Sequence, residues 1–87
     1  KKEKTDRVAA EINVVGFRVE AALEKVDKFI DDAVVAGLDT IRVIHGRGTY
    51  ALRNALWEFL DGHTHVSSCR KEDSRLGGDG VTVVDLV

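Results

Sequence analysis

The stretch VIHGRGTYALR, residues 43–53, gathers His45, Gly46, Arg47, Gly48, Thr49, Tyr50 and Arg53 in one short run. A β-branched run before it and helical spacing after it place the group at a strand-to-helix junction. The chemistry on offer there is anion binding. Gly46 and Gly48 let the backbone turn with positive φ and approach a ligand closely. A helix beginning near Thr49 aims unpaired N–H groups and the positive end of its dipole into the turn, which suits a phosphate. Arg47 brings a planar fork to phosphate oxygens, and Arg53, one turn into the helix, reaches the same region. His45, with an ordinary pKa of about 6.5, has the chemistry of a general acid or base, or of a donor to phosphate. Tyr50 offers a ring that can stack on a base or cover the ligand. The same residues also describe a plain tight turn with a satisfied strand-end histidine. Two nucleotide-binding modes are excluded by spacing: the P-loop glycine–lysine pattern is missing, and no third glycine completes a dinucleotide fingerprint.

Elsewhere the signals are weaker. His63 and His65 put two imidazoles on one strand face near Asp61 and Cys69, but a zinc site needs four ligands at recognisable spacing, so they read as surface histidines at a helix–strand turn. The pairs Glu20–Glu24 and Glu24–Lys28 offset one another on a solvated helix face. Phe59 fits a core stripe, which leaves Trp57 on a flank of the same helix.

These residues need a scaffold. The chain has 87 residues, enough for one small domain that buries roughly 60–65% of its unfolded surface, so function belongs on an edge or in a loop. No apolar run approaches the roughly 18 residues that span a membrane. The single Cys69 cannot form an internal disulfide, which favours a reducing, cytoplasmic setting. A net charge of −2 excludes a basic footprint over the whole surface, so positive charge for a nucleic acid must be local. The absence of methionine points to a fragment or processed chain, and residues 1–10 read as a flexible leader or linker remnant before a domain at 11–87.

INVVG (12–16) and TIRVI (40–44) read as strands, THVSSCR (64–70) as a weaker one and VTVVDLV (81–87) as a strong final one. Helical spacing runs from Val19 through Leu23, Val26, Ile30 and Ala33 or Val34, with Gly37 at the stop. A second helix, capped by Thr49, buries Leu52, Leu56, Phe59 and Leu60 and ends at Gly62. The order βαβαββ predicts an α/β two-layer sandwich. Its four-stranded mixed sheet has three parallel strands plus one antiparallel, with two helices. The loops after the first three strands then share one edge, where ligands of parallel sheets gather.

VVGFRVEAAL, VDKFIDDAVVAGLDTIRVIHGRGTYALR and GGDGVTVVDL resemble the small MutS-related (Smr) domain, in the version carried at the C-terminus of the bacterial MutS paralogue without a mismatch-repair role. The likeness covers residues 11–87. It implies a two-layer α/β fold, binding of DNA (branched or duplex) or RNA, and in several members endonuclease activity by phosphodiester hydrolysis. It also implies a parent chain with an ATPase module, the only place for ATP, and a long helical region. Suppression of recombination and rescue of collided ribosomes belong to that parent. The family's strand-one motif commonly reads leucine–aspartate–leucine, then arginine or histidine, then glycine. Here it is Ile12-Asn13-Val14-Val15-Gly16. Asn13 cannot act as a carboxylate base or hold a divalent metal with charge, so the sequence supports no metal or other cofactor within the domain. Tyr50 also stands where the family often has glycine.

Three readings follow. In a nuclease, His45 takes the proton of an attacking water and Arg47, with Arg18, neutralises the phosphorane; Asn13 occupies the catalytic position, and Glu11 and Asp79 are the nearby carboxylates. In a non-catalytic clamp, Gly46, Arg47, Gly48, Thr49, Tyr50, Arg53 and Arg18 grip one or two phosphates of DNA, RNA or a ribosome. In a protein-interaction module, the acidic first helix is the contact face.

Overall fold

The computed structural model describes residues 10–87, so the expected leader lies outside the described residues except for Ala10, which begins the first strand. The elements are β1 (Ala10–Asn13), α1 (Val19–Val35), β2 (Thr40–Ile44), α2 (Ala51–Asp61), β3 (Val66–Lys71) and β4 (Val81–Leu86), with two single 3₁₀ turns between β3 and β4. The sheet order is β1-β2-β4-β3. β1 pairs parallel to β2, while β4 pairs antiparallel to both β2 and β3. Three strands therefore run one way and β4 runs against them, as the element order predicts. β4 lies between β2 and β3, so only one ladder is parallel. The reason is in β4 itself: Val81, Thr82, Val83 and Val84 are all buried, which suits an interior strand covered on both faces.

Helix α1 buries Ala22, Val26, Ile30 and Ala33, a stripe at helical spacing. It stops as a Schellman motif, with Gly37 at φ +79° and the amides of Gly37 and Leu38 donating to the carbonyls of Val34 and Ala33. Helix α2 buries Leu56 and Leu60. These residues meet Val14, Ile41, Val43, Val84 and Leu86 in one core between the sheet and both helices. Full burial of one such leucine stabilises the fold by about 2–3 kcal/mol.

Two details of the boundaries differ from the sequence expectation. β1 ends at Asn13, although the Val14 amide still donates to Ile44 O at 2.8 Å, because the Asn13 Oδ1 accepts the Val15 amide at 2.9 Å and Phe17 N–H donates back to Val14 O, turning residues 15–17 out of the sheet. Thr49 is not the cap of α2. Tyr50 holds that place at φ +67°, and the Thr49 hydroxyl only reaches the Ala51 amide at 3.3 Å. α2 does end at Gly62, which caps it at φ −108°, a conformation open to any residue.

The loops after β1, β2 and β3 do share one edge. Gly80 O, at the end of the third loop, accepts the amides of His45 and Gly46 at 3.0 and 2.9 Å. The Val15 side chain from the first loop lies against Gly46, where an added Cβ would sit 3.4 Å from its Cγ2.

Candidate functional site

The first two loops enclose an open cleft of about 410 Å³, lined by residues 15–19 and 45–53. Both helices begin there, at Val19 and Ala51, so two sets of helix N-terminal amides and two positive dipole ends face one space. Its charged lining is Arg18, Arg47 and Arg53, with no carboxylate. The arrangement suits an anion.

Arg47 is exposed, and among the described residues its guanidinium meets no carboxylate and donates no hydrogen bond within the protein. Its stem runs along the third loop, where glycines make the room. A Cβ at Gly78 would come within 3.4 Å of Arg47 Nη2, and one at Gly80 within 3.7 Å of Arg47 Cγ. Arg18, at the cap of α1, is likewise exposed and unpaired among the described residues. The amides divide. Those of His45 and Gly46 are spent on Gly80 O and that of Tyr50 on Arg47 O, whereas among the described residues those of Arg47, Gly48 and Thr49 meet no protein acceptor. The usable part of the cradle is therefore residues 47–49, narrower than the sequence suggests.

His45 is 4% exposed and both ring nitrogens are engaged. Its Nδ1 lies 2.9 Å from Gly46 O, which can only accept, so Nδ1 carries the proton. Nε2 then accepts from the Thr82 hydroxyl at 2.8 Å, and Thr82 Oγ1 in turn accepts from Trp57 Nε1 at 2.8 Å. Burial, helped by the nearby Arg53 charge, lowers the His45 pKa against the opposing pull of Gly46 O. This is a neutral imidazole that fixes the loop, with no lone pair turned to the cleft. The other two catalytic candidates are also occupied. Asn13 holds the Val15 amide, and Glu11 pairs with Arg42 on the sheet face away from the helices; neither lines the cleft.

Tyr50 departs from ordinary backbone geometry. It is the non-glycine residue with positive φ among the described residues, at a cost of about 1–2 kcal/mol. The residue is 37% exposed. The Arg53 guanidinium lies 5.4 Å from the Tyr50 ring centre and 5.3 Å from that of Trp57, a cation between two π-faces. The Tyr50 hydroxyl makes a long 3.4 Å contact to Asp79, whose carboxyl is held below its usual range by Lys71, 3.3 Å away, with Arg53 and Tyr50 adding to the effect. Val15 and Phe17, 53% and 37% exposed, add apolar surface to the cleft.

The structure thus brings together Arg18, His45, Gly46, Arg47, Gly48, Thr49, Tyr50 and Arg53, and leaves Glu11 and Asn13 apart. Sequence reasoning missed Val15 and Phe17 as lining residues and Trp57 and Thr82 as the support of His45. The spacing of Tyr50, Arg53 and Trp57, three and four residues apart, was a usable signal for the stacked set. The Trp57–Thr82–His45 chain joins distant segments and leaves no local trace. The other histidine group is spent internally: His63 Nε2 donates to Asp27 at 2.8 Å while Nδ1 accepts the His65 amide. Among the described residues no group of three or more His, Cys, Asp or Glu converges as a metal site.

The sequence profile of the Smr domain matches residues 12–87. This chain belongs to the Smr family. It is 51% identical over 83 residues to the endonuclease MutS2 of Symbiobacterium thermophilum, covering 95% of this chain and 10% of that protein. It is 45% identical over 85 residues to the putative endonuclease MutS2 of Bacillus subtilis, covering 98% of this chain and 11% of the relative. The chain thus spans about a tenth of the length of these multidomain-sized relatives. The crystal structure of the Smr domain of Thermus thermophilus MutS2 superposes with a TM-score of 0.89 at 40% identity, covering 91% of this chain and 99% of that one. YdaL, a stand-alone small MutS-related protein from Escherichia coli, gives 0.83 at 26% identity, covering 88% of this chain and 63% of that one. Among the described residues no helix is long and apolar enough to cross a membrane.

Proposed function

We propose that this Smr domain binds nucleic acid by gripping backbone phosphates in the cleft. The observation that carries this reading is the pairing of two unpaired arginines, Arg18 and Arg47, with the open amides of residues 47–49 in a lining that holds no carboxylate. Phosphate contacts of this kind position a duplex or branch without reading its sequence. DNA is the first substrate to try, because relatives that match 95–98% of the chain bear the name endonuclease or putative endonuclease; RNA and the ribosome follow from the same chemistry. With two or three phosphates neutralised, log K against log salt should fall with a slope of about −2 to −3. Anisotropy of a labelled duplex across a salt series tests this. Arg47→Ala should weaken binding about tenfold and flatten the slope by about 1. An unchanged slope contradicts the reading.

A second reading, nicking by phosphodiester hydrolysis, is favoured by the names of the MutS2 relatives and by Asp79. Water would bond to phosphorus and give its proton to a base as the strand's P–O bond breaks and the leaving oxygen takes a proton from solvent, with Arg47 facing the developing charge. With both His45 nitrogens held, the carboxylate that reaches the cleft's edge is Asp79, which contacts the Tyr50 hydroxyl at 3.4 Å from outside the lining and pairs with Lys71 at 3.3 Å. No cofactor within the domain is required for this step as drawn. Nicking of supercoiled plasmid, with and without chelator, should fall by about 100-fold or more in Asp79→Asn; cleavage at the wild-type rate in that variant removes the assignment. In this reading the domain serves a parent chain whose ATPase and helical regions load it on DNA and whose cellular effect is suppression of recombination.

A further inference from the structure

A cleft that only held phosphate would not need an aromatic rim. Tyr50 and Phe17 are each 37% exposed and Val15 is 53% exposed, and all three line the space that holds Arg18, Arg47 and Arg53. They are among the few large apolar side chains left exposed on the described molecule. We infer that the cleft takes an unpaired nucleotide, with its base stacked on the Tyr50 ring and its phosphate on Arg47 and the amides of residues 47–49.

Three observations support this. First, the Tyr50 ring is already positioned. Arg53 lies over it and is itself backed by Trp57, so little side-chain freedom remains to be lost when a base arrives. Second, the ring stands directly beside the open amides of Arg47, Gly48 and Thr49, so a base and its own phosphate can be held together. Third, charge selects the occupant. An apolar rim alone would suit many partners, but one interleaved with three arginines, with Asp79 touching only the Tyr50 hydroxyl from outside the lining, complements a polyanion that carries flat apolar rings. In a fully paired duplex the bases are stacked within the helix and only phosphates reach the cleft. Flaps, bulges, gaps and strand ends offer both.

The inference rests on the phosphate-binding reading, and the two fail differently. The test compares the 87-residue chain on three labelled DNAs: a fully paired duplex, the same duplex with one unpaired 2-aminopurine, and that duplex with an abasic site in place of the extra base. Wild type should prefer the unpaired base over the paired duplex about tenfold, as expected for one base–aromatic stack. The fluorescence of the 2-aminopurine should be quenched on binding, and the abasic site should lose the preference. Tyr50→Gly, which suits the left-handed backbone and so protects folding, should bring the ratio close to one and abolish the quenching, and Tyr50→Phe should restore both. Arg47→Ala should weaken paired and unpaired substrates by equal factors and keep the ratio. A ratio near one in wild type, or one that Tyr50→Gly leaves intact, overturns the stacking site while the phosphate reading survives. Loss of the Arg47 effect overturns both. Repeating the series with an unpaired ribonucleotide separates a DNA preference from indifference to the sugar.

Discussion

Arg42, in the middle of β2, and Arg47, in the loop that follows it, lie five residues apart and live in opposite electrostatic conditions. On the open sheet face Arg42 is enclosed. Its Nε donates to Glu72 at 2.7 Å, Nη1 pairs with Glu11, and Nη2 donates to Leu76 O at 2.8 Å. Next to it Asp85 accepts from Arg70, Ser68 and Thr40. Around the cleft, Arg47 and Arg18 have no such partners among the described residues. A protein that can satisfy its charges internally, and does so across the sheet face, leaves them unsatisfied at one edge. The contrast teaches that Arg42 and Arg70 on the open face hold the molecule together, whereas Arg18 and Arg47 at the cleft wait for an anion from outside.

Substitutions can break that comparison. Arg42→Met should be the costliest, at about 3 kcal/mol, because Glu72 is left half-enclosed without its cation; urea denaturation reads this directly. Should it cost no more than Arg47→Ala, the contrast fails. Thr82→Val should cost about 2 kcal/mol, since it strips a partner from both His45 Nε2 and Trp57 Nε1. Arg47→Ala should change stability by less than about 0.5 kcal/mol, as expected of an unpaired surface residue, despite its tenfold effect on binding. Tyr50→Ala should be less stable than Tyr50→Gly by about 1 kcal/mol, because alanine keeps the left-handed penalty without the ring contacts. The smallest effect concerns pH. The unfolded chain protonates His45 at about pH 6.5, whereas burial lowers the folded pKa. As pH falls below 6.5 the unfolded state binds the extra proton first, so stability declines down to the folded pKa. His45→Gln should remove this part of the slope between pH 7 and pH 5.5.

Much of the architecture was legible because it rests on local signals. The 3.6-residue stripe of α1, the glycine stop at Gly37 and the β-branched run of β2 each identify an element without reference to the rest of the chain. The position of β4 was less open to view, since pairing with β2 is a contact across some forty residues; even so, the unbroken run Val81-Thr82-Val83-Val84 carried the mark of an interior strand. In the site, the arginines and glycines of residues 46–53 could be read because strand–loop–helix junctions impose their own chemistry. His45 could not. Whether a histidine is a base or a pillar depends on what faces its two nitrogens, and here these are a carbonyl from the next residue and a hydroxyl from β4. Asn13 shows the same limit: its type excluded a carboxylate base, but its role in turning the chain at Val15 follows only from geometry.

The central claim concerns which atoms meet the phosphate, and a ¹H–¹⁵N titration of the chain with a short DNA duplex observes those atoms. The largest shifts should fall on the amides of Arg47, Gly48 and Thr49 and on the side-chain Nε–H of Arg47, with Arg42 and the strand residues around Asp85 unmoved. Shifts centred on the open face, or spread over α1 with the 47–49 amides silent, would contradict it.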